Sequence, residues 1–361
     1  MSAVKTIGWG IVGTGEIARR FASDLVFAPG AALHAVLSRD PEKAEQFCAE
    51  TGARKAYSNI DNFLSDPRIK AIYIATPNSL HLAQTLRTLR SRKAVLTEKP
   101  LAPSAPEAEV IEREAARQNT FAMEAMWTRF LPAVQAAKAH IEAGSIGEIR
   151  KITVDISHYR EFDPESRFFS RALGGGAALD LGVYPISLAM YFLGEPDQVS
   201  GRWVSAKTGV DIRTEINLHY ADADAELSCG FDRDGANHFF IEGTAGALRI
   251  DGPFPSAKQL TLYSPSAMKS SLIGPSAKGD RPLAKFLSRL PSSLSRLWGR
   301  QIEHYPFQGS GLQFPAIALM DALRSGETQS PAMPISDSVA VLRAIGIVLS
   351  RSPVPEAAPA A

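Results

Sequence analysis

Thr6-Ile7-Gly8-Trp9-Gly10-Ile11-Val12-Gly13-Thr14-Gly15-Glu16-Ile17-Ala18 reads as an apolar strand, a glycine turn and the start of a helix. The turn carries the spacing G-x-G-x-x-A, and its strand–turn–helix setting is the one a dinucleotide fingerprint requires. Gly13 permits the tight turn, Gly15 lets a pyrophosphate approach the backbone, and the small Ala18 lets helix and strand pack closely. The backbone amides of Thr14, Glu16 and Ile17 at the helix start are placed to hold phosphate oxygens. A plain tight turn is the bland alternative, and the remainder of the chain decides against it.

Residues 32–37 form the next expected strand, ending in Ser38-Arg39-Asp40. An acidic residue at this strand tip accepts from ribose hydroxyls, whereas an arginine suits a 2′-phosphate. Ser38 and Arg39 come first, which favours NADP. Asp40 keeps NAD as the alternative, or simply caps the helix starting at Pro41. A short helix is expected over 58–66 and a strand over 71–75, leading into Thr76-Pro77-Asn78-Ser79-Leu80-His81. Thr76, Pro77, Asn78 and His81 are candidates for the nicotinamide half of the cofactor; the competing reading makes Asn78 a helix cap and His81 a half-exposed first-turn residue. The strand 94–97 then delivers Glu98-Lys99-Pro100 at its carboxyl edge. Ligands of open parallel sheets bind in the crevice outside the carboxyl ends of strands, so Glu98 and Lys99 stand where cofactor and substrate meet. Pro100 fixes the backbone behind them, and the bond before it is one that can be cis. A helix over 106–119 and a strand over 121–123 complete a strand–helix alternation that predicts a doubly wound parallel sheet within residues 1–124.

The stretch Met123-Glu124-Ala125-Met126-Trp127-Thr128-Arg129-Phe130 opens the second part, 125–351. Trp127 is a candidate contact for cofactor and substrate. Arg129, set among aromatics, requires an anionic or carbonyl partner and is a candidate cofactor ligand. After a helix over 132–144, residues 151–157 alternate like a half-buried strand. A loop over 160–171, rich in aromatics and charges, includes Phe162 as a candidate substrate contact. Gly174-Gly175-Gly176 then precedes a helix in which Asp180 and Tyr184 stand four residues apart, on one face. Residues 199–262 alternate as antiparallel strands. With the strand at 151 they make one large open sheet, polar on one face, and a second subunit is its natural cover. Residues 264–300 are rich in Ser and Pro and carry seven Lys or Arg against one acid, Asp280. Leu283, Phe286, Leu287 and Leu290 share one helical face there; a lid or interface insertion is expected ahead of membrane-surface binding. Helices are expected over 311–325 and 337–350, and residues 352–361 read as a disordered Pro/Ala tail.

Composition narrows the function classes. A net charge of +1 gives no general steering toward nucleic acid. Two cysteines, Cys48 and Cys229, without close-spaced ligand patterns, predict neither a disulfide framework nor a structural metal. No apolar run approaches the ~20 residues of a membrane span, and no signal-peptide pattern opens the chain; a soluble, cytoplasmic protein is expected.

With these pieces in order, the chain resembles the Gfo/Idh/MocA oxidoreductases over nearly its whole length. The residues that carry the resemblance are the fingerprint at 13–18, Ala75-Thr76-Pro77-Asn78 through His81, Glu98-Lys99-Pro100, and the triple glycine with Asp180 and Tyr184. The 123–130 stretch and Tyr184 look most like the branch of dimeric dihydrodiol dehydrogenases, NADP-dependent D-xylose dehydrogenases and glucose–fructose or aldose–aldose oxidoreductases. The resemblance implies a Rossmann domain, a C-terminal α/β domain whose mostly antiparallel open sheet makes dimers, and Lys99, Asp180 and Tyr184 around the nicotinamide. It also implies NADP-dependent oxidation of a pyranose aldose at C1. The alternatives are trans-dihydrodiol oxidation, carbonyl or ketose reduction, and a nucleotide-sensing regulator without turnover. A free tyrosine titrates near ~10, and the Lys99 ammonium is expected to pull Tyr184 below that. Lys99 and Tyr184 both remain candidates for the proton carrier.

Overall fold

Strands and helices alternate strictly through the first half of the computed structural model, which describes residues 6–269 and 299–355. In chain order these elements are β1 (Ile7–Val12), α1 (Glu16–Asp24), β2 (Ala31–Leu37), α2 (Pro41–Thr51), β3 (Lys55–Tyr57), α3 (Ile60–Ser65), β4 (Ala71–Ile74), α4 (His81–Arg90), β5 (Ala94–Thr97), α5 (Ala105–Gln118) and β6 (Ala122–Glu124). The strands pair in parallel in the order β3-β2-β1-β4-β5-β6. The strand order reverses between β1 and β4, so the crevice for a ligand opens there. Runs such as Ala71–Ile74 and Ala94–Thr97 are buried throughout and nearly all apolar because helices cover both faces. The three-residue β3 gives too short an alternation to be read from sequence, and only its pairing with β2 defines it.

The second half follows with α6 (Pro132–Glu142), β7 (Ile149–Ser157), α7 (Val183–Leu193), β8 (Gln198–Ser205), β9 (Asp211–His219), β10 (Asp224–Gly230), β11 (Phe239–Gly243), β12 (Ala247–Ile250), β13 (Gln259–Tyr263), β14 (Arg300–His304), α8 (Gln313–Ser325) and α9 (Ile335–Leu349). Its eight strands run β14-β13-β12-β11-β7-β10-β9-β8, antiparallel except where β10 meets β7. Ile152, Val154, Leu227 and Ile241 point into the core. The register places Thr153, Glu226, Asn217 and Ser200 side by side on the opposite face. That face carries cross-strand ion pairs, Lys151–Glu226 at 2.7 Å and Arg202–Glu215 at 2.7 Å. It is polar, as its alternation predicts.

Two features depart from the sequence reading, and a third reading falls on residues that are not described. The helical run Arg171–Leu193 is long and apolar enough by composition to cross a membrane, yet 78% of its most apolar window is buried inside the fold. Residues 352–355 are not a free tail: Val354 bridges Val204, and its N–H donates to the Trp203 carbonyl at 2.8 Å. The amphipathic face Leu283, Phe286, Leu287 and Leu290 lies outside the described residues.

The two halves are tied together at the end of α1. Asp24, 3% exposed, accepts hydrogen bonds from the Ser310, Gly311 and Leu312 amides and from Ser310 Oγ at 2.6 Å. Its carboxylate thereby supplies the acceptor that the start of α8 lacks. Replacing Asp24 by Ala leaves the Ser310 and Leu312 amides without this acceptor, while the Gly311 amide keeps Gln313 Oε1 at 3.0 Å. The expected cost is about 2–4 kcal/mol, measured as a lower urea midpoint with an unchanged slope.

Candidate active site

The turn after β1 places the first group of site residues. Gly13 has φ +107°, and a Cβ there would lie 2.6 Å from the Ala75 carbonyl oxygen, so only glycine fits. A Cβ on Gly15 would meet nothing within 4 Å. Space is left open at the N-terminus of α1, where backbone amides face an incoming anion. The crevice beside it has a volume of about 540 Å³ and runs from Gly13, Thr14 and Gly15 past Ser38 and Arg39 to Thr76 and Pro77. These residues fit a dinucleotide laid across the β1/β4 switch point.

At the crevice's outer end, Asp40 caps α2, accepting from the Glu42 amide at 3.0 Å and the Lys43 amide at 3.3 Å. Arg39 is exposed and has no ion-pair partner among the described residues. Lys43, one turn further on, also lines the crevice. Sequence reasoning missed it; its position three residues after a helix cap at the strand tip was the available signal.

Several candidates turn out to be supports rather than walls. His81 is fully buried, with Nδ1 2.7 Å from the Pro100 carbonyl and Nε2 2.9 Å from the Thr76 carbonyl. It is neither half-exposed nor free to touch a cofactor: it staples the Thr76 segment to the Lys99–Pro100 segment. That peptide is cis. Burial pushes the His81 pKa down, outweighing the two carbonyls that favour its charge. Asn78 donates from Nδ2 to the Gly174 carbonyl at 3.0 Å, joining the two halves rather than capping a helix. Glu98 is buried beneath the site, accepting from Tyr73 OH and from the Lys99 amide at 3.1 Å; burial pushes its carboxyl up.

Arg129 has the partners that its burial demands, but none is a cofactor. It is 0% exposed, with Nε donating to Ser187 Oγ at 2.8 Å, Nη2 to the Ser187 carbonyl at 2.8 Å, and Nη1 to Asp337 at 2.5 Å. The guanidinium locks α9 against α7 and is closed to any ligand. Phe162 stands at the surface, 38% exposed and edge-on to Phe169.

Lys99, Asp180 and Tyr184 do come together. The Lys99 ammonium lies 2.9 Å from Asp180 Oδ1, 2.6 Å from the Asp180 carbonyl and 5.0 Å from the Tyr184 ring centroid. Tyr184 OH accepts from Trp127 Nε1 at 3.1 Å. The chain from Ala178 to Gly182 is a π-helical turn preceding α7, a widened turn of the kind found at functional sites. The glycines before it admit the protein's own groups: a Cβ on Gly176 would lie 2.3 Å from Asp211 Oδ1. Asp211 in turn accepts from the Ala178 amide at 2.7 Å and fixes the start of that turn. Sequence reading missed Asp211, and also Arg167, whose Nη1 lies 3.3 Å from Asp180 Oδ1.

Electrostatics separates the three groups. Burial disfavours the Asp180 carboxylate, but Lys99 and then Arg167 outweigh it and hold its pKa down at about 2. Burial likewise opposes the Lys99 charge, and Asp180 with Tyr184 and Glu98 reverses this, keeping the ammonium well above the ordinary lysine value. For Tyr184 burial prevails: its phenol is pushed above the ordinary value of 10.0 although Lys99 pulls it down. The expectation of a Tyr184 pKa below the free value is therefore overturned, because burial outweighs the pull of Lys99 and the Glu98 and Asp180 charges add to burial.

Comparison with known proteins places the chain. Residues 7–125 match the Gfo/Idh/MocA "Oxidoreductase family, NAD-binding Rossmann fold", and residues 134–249 match the "GFO/IDH/MocA C-terminal domain". Similar proteins include trans-1,2-dihydrobenzene-1,2-diol dehydrogenases. That of Xenopus tropicalis is 30% identical over 91% of this chain and 93% of its own; that of Mus musculus is 29% identical over 91% and 92%. The fold is shared with aldose–aldose oxidoreductase from Caulobacter crescentus, with TM-score 0.79 and 23% identity over 95% of this chain and 96% of that one. The chain belongs to the Gfo/Idh/MocA oxidoreductase family. It is an oxidoreductase with a nicotinamide-nucleotide-binding Rossmann fold.

Proposed function

We propose that the protein is an NADP-dependent oxidoreductase moving a hydride between the nicotinamide and C1 of a pyranose aldose, giving a lactone. The observation that carries this reading is the convergence of Lys99, Asp180 and Tyr184 beside the dinucleotide crevice. A buried ammonium, carboxylate and phenol supply donors and acceptors for a polyol. A bound oxidised nicotinamide would supply the hydride acceptor for the carbinol carbon. Tyr184 takes the carbinol proton in oxidation and returns it in reduction. Lys99 donates to the substrate oxygen and stabilises the charge that grows on it. Asp180 keeps Lys99 charged and aimed. With its raised pKa, Tyr184 is protonated at neutral pH, so the site is poised there as a proton donor, and oxidation gains as pH rises.

Purified protein with NADP and a panel of aldoses is expected to form reduced cofactor, followed at 340 nm. Cofactor binding without turnover of any aldose or diol would favour a nucleotide sensor instead. Oxidation of a trans-dihydrodiol is the second reading, supported by the names of the 28–30% identical relatives.

The preference for NADP rests on Ser38, Arg39 and Lys43 facing the crevice while the Asp40 carboxylate caps its own helix. Arg39 offers a bidentate fork to a 2′-phosphate. Arg39→Asp is expected to reverse the ratio of KM for NADP and NAD; equal affinity of the unmutated protein for both removes the assignment. The polar, ion-paired face of the eight-stranded sheet supports a homodimer or a dimer of dimers. Sedimentation velocity is expected to show at least twice the chain mass, and a monomer at every concentration contradicts it.

A further inference from the structure

Arg160 and Arg167 enter the molecule beside the site and are not accounted for by it. Arg167 reaches Asp180 Oδ1, the oxygen Lys99 already holds, and its side chain is 60% exposed, with no other polar partner among the described residues. The Arg160 side chain has no hydrogen-bond or ion-pair partner among the described residues, and its Nε is buried. Both guanidiniums lie against the ring of Phe168, with Cζ 3.7 Å from its centroid for Arg160 and 4.2 Å for Arg167. The acids of the same loop, Glu161, Asp163 and Glu165, are exposed and pair with neither arginine.

Around Asp180, therefore, three cations, Lys99, Arg160 and Arg167, face two carboxylates, Asp180 and Glu98. A guanidinium does not deprotonate in proteins, so the buried Arg160 Nε, which has no partner, is costly to leave unsatisfied unless an acceptor arrives. Burial already disfavours the Arg160 charge, and Arg167 adds to this against the pull of Asp180. The cofactor phosphates do not answer the need, since their place is at the α1 N-terminus and the Ser38 end of the crevice.

We propose that the substrate carries an oxyanion, a carboxylate or a phosphate ester on the polyol, and that Arg160 and Arg167 receive it at the mouth of the site. This rests on the sugar reading above and narrows it to acidic sugars. The reacting carbinol lies at Lys99 and Tyr184, and the charged end points outward across Asp180. Planar guanidinium forks match both anions, and both rest against the Phe168 ring. The pair are specificity residues and take no part in the proton transfer.

The test is calorimetric binding to the NADP-loaded protein, paired with steady-state kinetics. D-Glucose is compared with D-glucuronate for the carboxylate and with D-glucose 6-phosphate for the phosphate. At least one anion is expected to bind about ten- to a hundred-fold more tightly than glucose, with the gain in KM rather than kcat and weakened by added salt. In Arg160→Gln and in Arg167→Gln the ratio of anionic to neutral affinity is expected to fall by about ten-fold or more. Which anion gains identifies the group. Equal binding of neutral and anionic sugars, or a ratio unmoved in both variants, overturns the proposal. Turnover of neutral aldoses alongside equal binding leaves the sugar reading standing. Tight, arginine-dependent binding of an anion without turnover keeps the anion site and removes the aldose reaction.

Discussion

Lys99→Met is expected to lower turnover by a factor on the order of 10³ while NADP affinity stays within a few-fold. The magnitude is that of losing one fixed donor to a developing oxyanion, about 10²–10³, with the loss of a positive charge beside the phenol added. In the proposed placement of the cofactor its affinity is held elsewhere, at the Gly13–Gly15 turn and the Ser38–Lys43 end of the crevice. The substitution also removes the nearest cation from Asp180, whose side chain is 11% exposed. Breaking a buried pair costs about 3–5 kcal/mol, reduced here because Arg167 remains. The Asp180 pKa then rises from about 2. The sign follows from that shift. In the unmutated protein the pair stabilises the fold above the ordinary carboxylate value of 3.8, and that stability is lost as pH falls toward about 2. In Lys99→Met the folded value moves toward 3.8, so this acid-labile contribution shrinks. Circular dichroism and NADP titration at neutral pH separate lost chemistry from lost fold. Activity surviving at a tenth would mean only about 1.4 kcal/mol, and Lys99 would be a bystander.

What the sequence makes legible here is whatever is local. The Gly13–Ala18 turn, the strand ending at Lys99, and the spacing of Asp180 and Tyr184 each lie within a few residues, where backbone geometry restricts the choices. Roles set by distant partners were not legible. Arg129 announces a need for an anion, but Asp337, 208 positions later, decides that the need is structural. His81 looks like a surface residue of a first turn until Pro100 and Thr76 close over it. The glycine run promises a close approach, and the group that approaches Gly176 is Asp211 from β9. The Tyr184 pKa depends on a balance of burial and neighbouring charges, and neither quantity has a sequence signature.

Tyr184→Phe is expected to cost roughly 10² to 10⁴ in rate, and its pH profile distinguishes the two candidate proton carriers. The substitution removes one oxygen and keeps the ring against Lys99, 5.0 Å away. Trp127 Nε1 loses its acceptor, a cost of about 1–3 kcal/mol at most for a group left unsatisfied, so fold and NADP affinity are retained. In the unmutated enzyme the Tyr184 phenol sits above 10.0 and the Lys99 ammonium higher than an ordinary lysine. The oxidation rate is therefore expected to climb through neutral pH and to go on rising past 10. Reduction is expected to hold level and then to fall across the same range, because it needs the proton in place. In Tyr184→Phe both limbs are expected to disappear. If the rate falls but the limbs stay where they were, the proton belongs to Lys99, and Tyr184 only shapes its surroundings. If neither rate nor profile changes, Tyr184 is packing for Trp127, and the convergence of the three groups requires another account.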